Sequence, residues 1–514
     1  MISIGAKELT LDDFNKILYS GEKVDLDKAA LNKVIESHEF LKSFSKDKLI
    51  YGINTGFGPM AQYRVSEQNQ LDLQYNLIRS HCMGAGKRLS DINVKSAMIC
   101  RLSSLMKGYS GIHQEVVILL KELINNDIYP QIFEHGGVGA SGDLVQLAHL
   151  ALNLIGEGEV TYKGELRPTA DVYKEVGIKP ITVHLREGLA LINGTSVMTG
   201  IAMVNLLHAK QLLNWSLSSS MLIIEMVESY SDHFSKELHS VKPHVGQRAV
   251  ARAMYTAMSS SKLIRRREEH LFDSKHAETD IFKDKVQEYY SIRCVPQILG
   301  PVMDTITFTQ HVLENEVNSV NDNPIIDKAN NNIFHGGNFH GDYVALEMDK
   351  LKIALTKLTM LAERQLNFLM NDKLNGKLPP FVNLGKLGLN LGMQAAQFTA
   401  TSTTAENQML SNPMYIHSIP NNNDNQDIVS MGTNAALITA KVVENAYQVL
   451  AIELVSAVQA VDALQFDKRL SAEGQNTYKQ IRAIVPRFEK DSIMYKELKK
   501  VKEYLQTNST GLIE

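Results

Sequence analysis

Three consecutive residues, Ala140-Ser141-Gly142, can do chemistry that no ordinary side chain can. They close the run His135-Gly136-Gly137-Val138-Gly139, whose glycines accept backbone angles that other residues avoid. A tight bend there pushes the Gly142 nitrogen onto the Ala140 carbonyl carbon. Ring closure and loss of water, the Ser141 hydroxyl included, would leave a five-membered ring with an exocyclic methylene. Such a ring is an electrophile. The same stretch, Gly137-Val138-Gly139-Ala140-Ser141-Gly142, also fits the dinucleotide pattern G-x-G-x-x-G. That pattern requires a buried strand before it and a ribose-binding acid about 20 residues later. Glu157 and Glu159 offer the acid, but Ile128 to His135 carries Pro130 and two ionisable groups and makes a poor buried strand. The plainest alternative is a Gly-rich loop ahead of a helix capped by Asp143.

The elements that must hold such a loop are helical. Ala435 to Leu464 contains no Gly or Pro, and its apolar positions recur at three and four residues. As one helix it would reach about 45 Å. Ala202 to Val227 and Tyr343 to Met370 read the same way, and helical pattern also runs from Ser66 to about Asn126. Strand-like alternation is confined to Gly156 to Val183. Long helices need long partners, which predicts a mainly α fold built on a long-helix bundle. The 514 residues divide into a smaller N-terminal domain, 1–200, carrying the Gly-rich loop, and a bundle domain, 201–514.

Composition excludes several function classes. The net charge is −4, and the densest basic run, Arg265-Arg266-Arg267, is followed at once by Glu268-Glu269, so nucleic acid is not an expected partner. Cys82, Cys100 and Cys294 make no C-x-x-C pair and no even set for a disulfide framework. No basic segment followed by an apolar run opens the chain, and no membrane span is expected. A cytoplasmic protein is the expectation. His335 and His340 lack a third ligand at convincing spacing, so no metal is expected.

Five segments are rich in polar, Gly and aromatic residues for a helical protein: Tyr51–Gly58, His135–Gly142, Asn193–Thr195, Tyr289–Gln297 and Asn421–Gly432. Binding residues favour loops held by a rigid scaffold. In their wording, together with Asn321-Asp322-Asn323-Pro324 and Gly336-Gly337-Asn338-Phe339-His340-Gly341, they resemble the histidine, phenylalanine and tyrosine ammonia-lyases from about residue 8 to about 470. The resemblance implies an aspartase/fumarase-like fold. It implies that Ala140-Ser141-Gly142 forms the methylideneimidazolone (MIO) prosthetic group by itself, with no external cofactor. It also implies a homotetramer whose sites draw residues from three chains.

The chemistry of that family needs a base for a barely acidic β C–H bond and an electrophile that makes an amine leave. Tyr51 is the implied base; a free phenol titrates at about 10, so work near neutral pH needs donors or helix N-termini aimed at it. Asn193 resembles the amide that hydrogen-bonds the MIO carbonyl, and Tyr290 a tyrosine that assists there. Arg293 suits the substrate carboxylate, because its fork meets both oxygens, and one helical turn would face it the same way as Tyr290. Phe339 and Glu406 resemble a pocket-wall aromatic and a carboxylate near the substrate amine; packing and a salt bridge are their equal alternatives. Asn425 and Gln426 match family positions near the site.

The substrate signals conflict. Ser80-His81 is a pair that histidine lyases commonly carry against the substrate ring. The late loop, Asn425-Gln426-Asp427-Ile428-Val429, resembles the tyrosine and phenylalanine branch instead, and Tyr75 to His81 resembles a bacterial tyrosine ammonia-lyase group. A neutral imidazole at His81 can bond a phenol as well as another imidazole. The expectation is L-tyrosine, giving trans-4-coumarate and ammonia. Histidine to urocanate is the alternative, followed by phenylalanine lyase or aminomutase activity.

Overall fold

The computed structural model describes residues 1–46, 48–272 and 285–513. Four helices dominate: Ser196–Met226, Val295–Val317, Asp342–Met370 and Gly432–Leu464. The last has 33 residues, about 50 Å of helix. By length and composition it would pass for a membrane span, yet its most apolar window is 78% buried within the protein, which makes it a core helix. The mainly α class follows from these elements.

The chain divides into two compact units, each drawn from three stretches. The first holds Met1–Leu207, Thr309–Asp349 and Pro413–Ala440; the second holds His208–Phe308, Lys350–Asn412 and Lys441–Glu514. The sequence reading places one cut at residue 200, and the first boundary does fall nearby. Continuous domains are nevertheless not what forms, because each of the four long helices contributes residues to both units.

In the first unit, helices Gln70–His81, Leu144–Leu154 and Glu187–Ile192 pack on one another. Their buried faces include Leu77, Ile78, Leu147, Leu150, Ala151, Ala190 and Ile192. Gly188 permits the approach, since a Cβ there would fall 2.6 Å from the Gln74 carbonyl oxygen. Glu187–Ile192 is helical because Leu189-Ala190-Leu191-Ile192 buries well and Ala and Leu favour helix. The 66–126 stretch is broken into several pieces, with helices Gln70–His81, Asp91–Met106 and Gln114–Asn125 and the strand Ala85–Arg88. Within the stretch of strand-like alternation, Glu159–Tyr162 and Glu165–Pro168 form a hairpin, joined by Tyr129–Pro130, but Thr169–Val176 is a helix. Among the described residues the one parallel strand pair is Ile2–Ile4 with Val24–Leu26, which is no dinucleotide-binding sheet.

The second unit has its own core. Trp215 is buried and donates its indole N–H to the carbonyls of Leu505 and Asn508. Glu225 accepts from the Ser471 backbone and hydroxyl, anchoring the start of helix Ala472–Ile484.

Candidate active site

The turn at Ala140-Ser141-Gly142 is held from both flanks, all within the first unit. Gly142 adopts φ +69°, and a Cβ there would sit 1.9 Å from the Gly194 carbonyl oxygen. Only glycine allows this backbone bridge, which the Asp143 N–H closes onto Gly194 O at 2.8 Å. On the other flank the Met431 N–H donates to Val138 O at 2.9 Å. Ser430 Oγ and the Gly341 N–H both donate to Gly139 O at 3.0 Å. Ala140 packs in an apolar cluster with Val429 and Met431.

Asp143 does not cap the helix that follows it. Fully buried, it accepts the Val197 and Met198 N–H groups at 2.8 and 2.9 Å and the Thr433 hydroxyl. Those N–H groups belong to the first turn of Ser196–Met226, where they have no partner within the helix. A distant helix start has outcompeted the adjacent one. Burial pushes the Asp143 carboxyl up to about 6 against these three donors.

Ser141 stands as the uncondensed serine, so its oxygens represent the precursor of any ring formed there. Asn193 Nδ2 donates to Ser141 O at 3.0 Å, and Gln426 Nε2 donates to Ser141 Oγ at 3.0 Å. The Asn193 amide is itself oriented, because its Oδ1 accepts the Asn323 N–H at 2.8 Å. Asn323 Oδ1 in turn accepts the Gly336 N–H at 2.7 Å. Buried Arg186 fixes this loop through Asp322 at 3.3 Å and Pro324 O at 2.6 Å. In the sequence Asn321-Asp322-Asn323-Pro324 stands out as a polar cluster ending in proline, and nothing local marks Asn323 for this task.

Beside Ser141 lies a cavity of about 800 Å³. Tyr51, His81, Ser141, Asn193, Phe339, Asn425 and Gln426 all line it, so the fold brings seven of the sequence candidates to one place. Leu73, Leu77, Leu189, Ile192 and Met60 supply an apolar wall that helical periodicity alone did not distinguish from core. Tyr51 packs edge-on against Phe57, with ring centroids 6.1 Å apart. Its phenolic oxygen accepts the Gly58 N–H at 3.0 Å, a contact that stabilises negative charge on that oxygen. The Tyr51 loop is anchored by Gln74 Nε2, which donates to Gly52 O at 3.3 Å.

His81 ends helix Gln70–His81. Its Nδ1 lies 2.9 Å from Leu77 O and 3.2 Å from Ser80 Oγ. A carbonyl can only accept, so Nδ1 carries the proton and Nε2 is left as an acceptor on a cavity-lining ring.

Tyr290, Arg293 and Glu406 belong to the second unit and are not among the residues lining this cavity. Tyr290 and Arg293 share the single turn Tyr290–Arg293, with the guanidinium 4.8 Å from the tyrosine ring centroid. Arg293 Nε is buried and makes no hydrogen bond among the described residues. Glu406 accepts from Asn445 Nδ2 at 2.6 Å and pairs with Lys441 at 3.5 Å, the salt-bridge alternative noted from sequence.

Residues 9–483 match the family described as aromatic amino acid lyase. Tyrosine 2,3-aminomutase of Chondromyces crocatus is 39% identical over 511 residues, covering 98% of this chain and 96% of that protein. Histidine ammonia-lyase of Shouchella clausii is 37% identical over 507 residues, covering 98% of each. Among solved structures, Pantoea agglomerans phenylalanine aminomutase superposes with a TM-score of 0.95 at 34% identity, covering 99% of each chain.

Proposed function

The chain belongs to the aromatic amino acid lyase family, and from that premise we propose that it eliminates ammonia from L-tyrosine to give trans-4-coumarate. The observation that carries the choice of tyrosine over phenylalanine is the His81 tautomer. With Nδ1–H committed to Leu77 O, Nε2 accepts, and a phenol O–H satisfies it, as an imidazole N–H also would; the late loop Asn425-Gln426-Asp427 favours the phenol. Phenylalanine would leave that acceptor unpaired.

The residues around Ala140-Ser141-Gly142 fit an MIO group. A donor on the Ser141 carbonyl, a donor on its hydroxyl and Gly139 and Gly142 at positive φ suit this condensation. The group supplies an electrophile that makes the substrate amine a better leaving group. Asn193 holds the Ser141 carbonyl and Asn323 holds Asn193. Tyr51 takes the β-proton, the Gly58 N–H stabilising the phenolate form as it acts. The apolar wall of Leu73, Leu77, Leu189 and Ile192 accepts the substrate ring and excludes water from it. Phe339, Asn425 and Gln426 complete the lining. Arg293 anchors the carboxylate, with Tyr290 stacked beneath it, and Glu406 faces the amine; in the homotetramer these three reach the cavity from another subunit.

A second reading rests on the similarity to a tyrosine 2,3-aminomutase, in which the amine returns at the β-carbon. Purified chain incubated separately with L-tyrosine, L-histidine and L-phenylalanine distinguishes the outcomes. Accumulating 4-coumarate supports the proposal. β-Tyrosine as the main product establishes the aminomutase reading, and urocanate from histidine alone overturns tyrosine specificity.

A further inference from the structure

Away from the cavity, three imidazoles from three segments meet. His38 lies on helix Lys28–Phe44, His113 precedes helix Gln114–Asn125, and His184 precedes helix Glu187–Ile192. The ring centroids are 4.8 Å apart for His113 and His184, 5.3 Å for His38 and His113, and 5.6 Å for His38 and His184. Glu115 adds a carboxylate oxygen 3.6 Å from His113 Nδ1. One ligand atom from each of His113, Glu115 and His184 lies within 4.8 Å of the other two.

We propose that His113, His184 and Glu115, with His38 as the fourth ligand, form a binding site for a divalent transition-metal ion of the zinc type. Imidazole nitrogen with one carboxylate oxygen is a donor set that suits Zn²⁺ and is poor for Mg²⁺ or Ca²⁺. Zinc bonds of about 2.0–2.2 Å place tetrahedral ligand atoms roughly 3.3 Å apart, so the ligands must close in on an ion from the 4.8 Å within which those of His113, Glu115 and His184 lie. Three imidazoles this close repel one another when protonated, whereas a cation needs their neutral forms.

Two further contacts prepare the site. His38 Nδ1 lies 3.1 Å from Gly111 O, so Nδ1 is the donor and Nε2 presents a lone pair; ligating histidines commonly hold their other N–H on a carbonyl in this way. The Glu187 carboxylate accepts the backbone N–H of His113 and that of His184, both at 2.6 Å, so one buried group fixes the chain at two of the ligands. Glu187 begins the helix that carries Leu189 and Ile192 of the cavity wall and ends at Asn193. A bound ion therefore clamps the base of that helix without touching the cavity. His335 and His340, the pair that the sequence singles out, are not part of this cluster.

The test uses the full chain, stripped with a chelator and dialysed against Zn²⁺ alone. One Zn²⁺ per chain is expected, with a melting temperature that rises on binding. H184A should weaken affinity at least tenfold and abolish that rise, and H38Q and E115Q should each weaken it measurably. Co²⁺ substitution should give the intense visible bands of a four-coordinate site. Substoichiometric binding, equal affinity in all four proteins, or Mg²⁺ binding in preference to Zn²⁺ would overturn the proposal. Should H184A fail to fold, E115Q decides the matter, because Glu115 is exposed and the amide keeps its size and shape.

Discussion

Replacing His81 by phenylalanine tests the substrate reading at its source. In the parent the ring is oriented by the Nδ1–H bond to Leu77 O at 2.9 Å, and Nε2 waits as an acceptor on the cavity wall. A bound tyrosine pairs its phenol with that nitrogen. His81→Phe leaves the phenol without a partner, which costs about 1–3 kcal/mol for a desolvated hydroxyl. The Ser80 hydroxyl also lines the cavity and recovers part of the loss, so the lower half of that range applies. At 1.36 kcal/mol per decade, kcat/KM for tyrosine should fall roughly 5- to 30-fold. Phenylalanine gains by a similar factor, because no imidazole acceptor is left unpaired against its ring. The tyrosine-to-phenylalanine ratio should therefore change by roughly 25- to 900-fold. Initial rates of 4-coumarate and cinnamate formation, read by ultraviolet absorbance at low substrate, give that ratio directly. His81→Gln keeps an acceptor and should stay on the tyrosine side. An unchanged ratio in His81→Phe, with the variant folded, refutes the argument that His81 reads the phenol.

Three further outcomes follow from the same geometry. Gly142→Ala places a Cβ 1.9 Å from the Gly194 carbonyl oxygen at φ +69°, so the 142–194 bridge must open at a cost of roughly 3 kcal/mol or more; a lowered melting temperature and an intact mass without loss of two waters should accompany it. Tyr51→Phe removes the proposed base while keeping the packing on Phe57; kcat should drop about 10² to 10⁴-fold with little change in melting temperature, and near-parental turnover would exclude Tyr51 from proton transfer. The Asp143 carboxyl, pushed up to about 6 when folded, titrates near its ordinary value when unfolded, so its protonated form favours the folded state and that stabilisation is lost as pH rises from about 4 through 6. Denaturant midpoints of Asp143→Asn should lack this term, on the order of 3 kcal/mol across the window, so the variant should gain on the parent between pH 4 and 7.

What could be read from the chain was local, and what could not was pairing over distance. Gly142 announced a special backbone because no other residue accepts its angles, and the helical period of Ala435 to Leu464 announced a core helix because burial imposes that period. Asp143 shows the limit. Its sequence neighbours favour a cap on the next helix, and that preference is worth about 1 kcal/mol. Val197, Met198 and Thr433 bring three donors to one buried carboxylate, and together they outweigh it. No local pattern in residues 140–150 reveals those donors. The same reasoning explains why Asn193 was legible while its orienting partner Asn323 was not. Likewise, nothing local joins His38, His113 and His184, which lie far apart in the chain and meet only in the fold. Competition among distant partners decides such groups, so their roles are properties of the assembled first unit and not of any one segment within it.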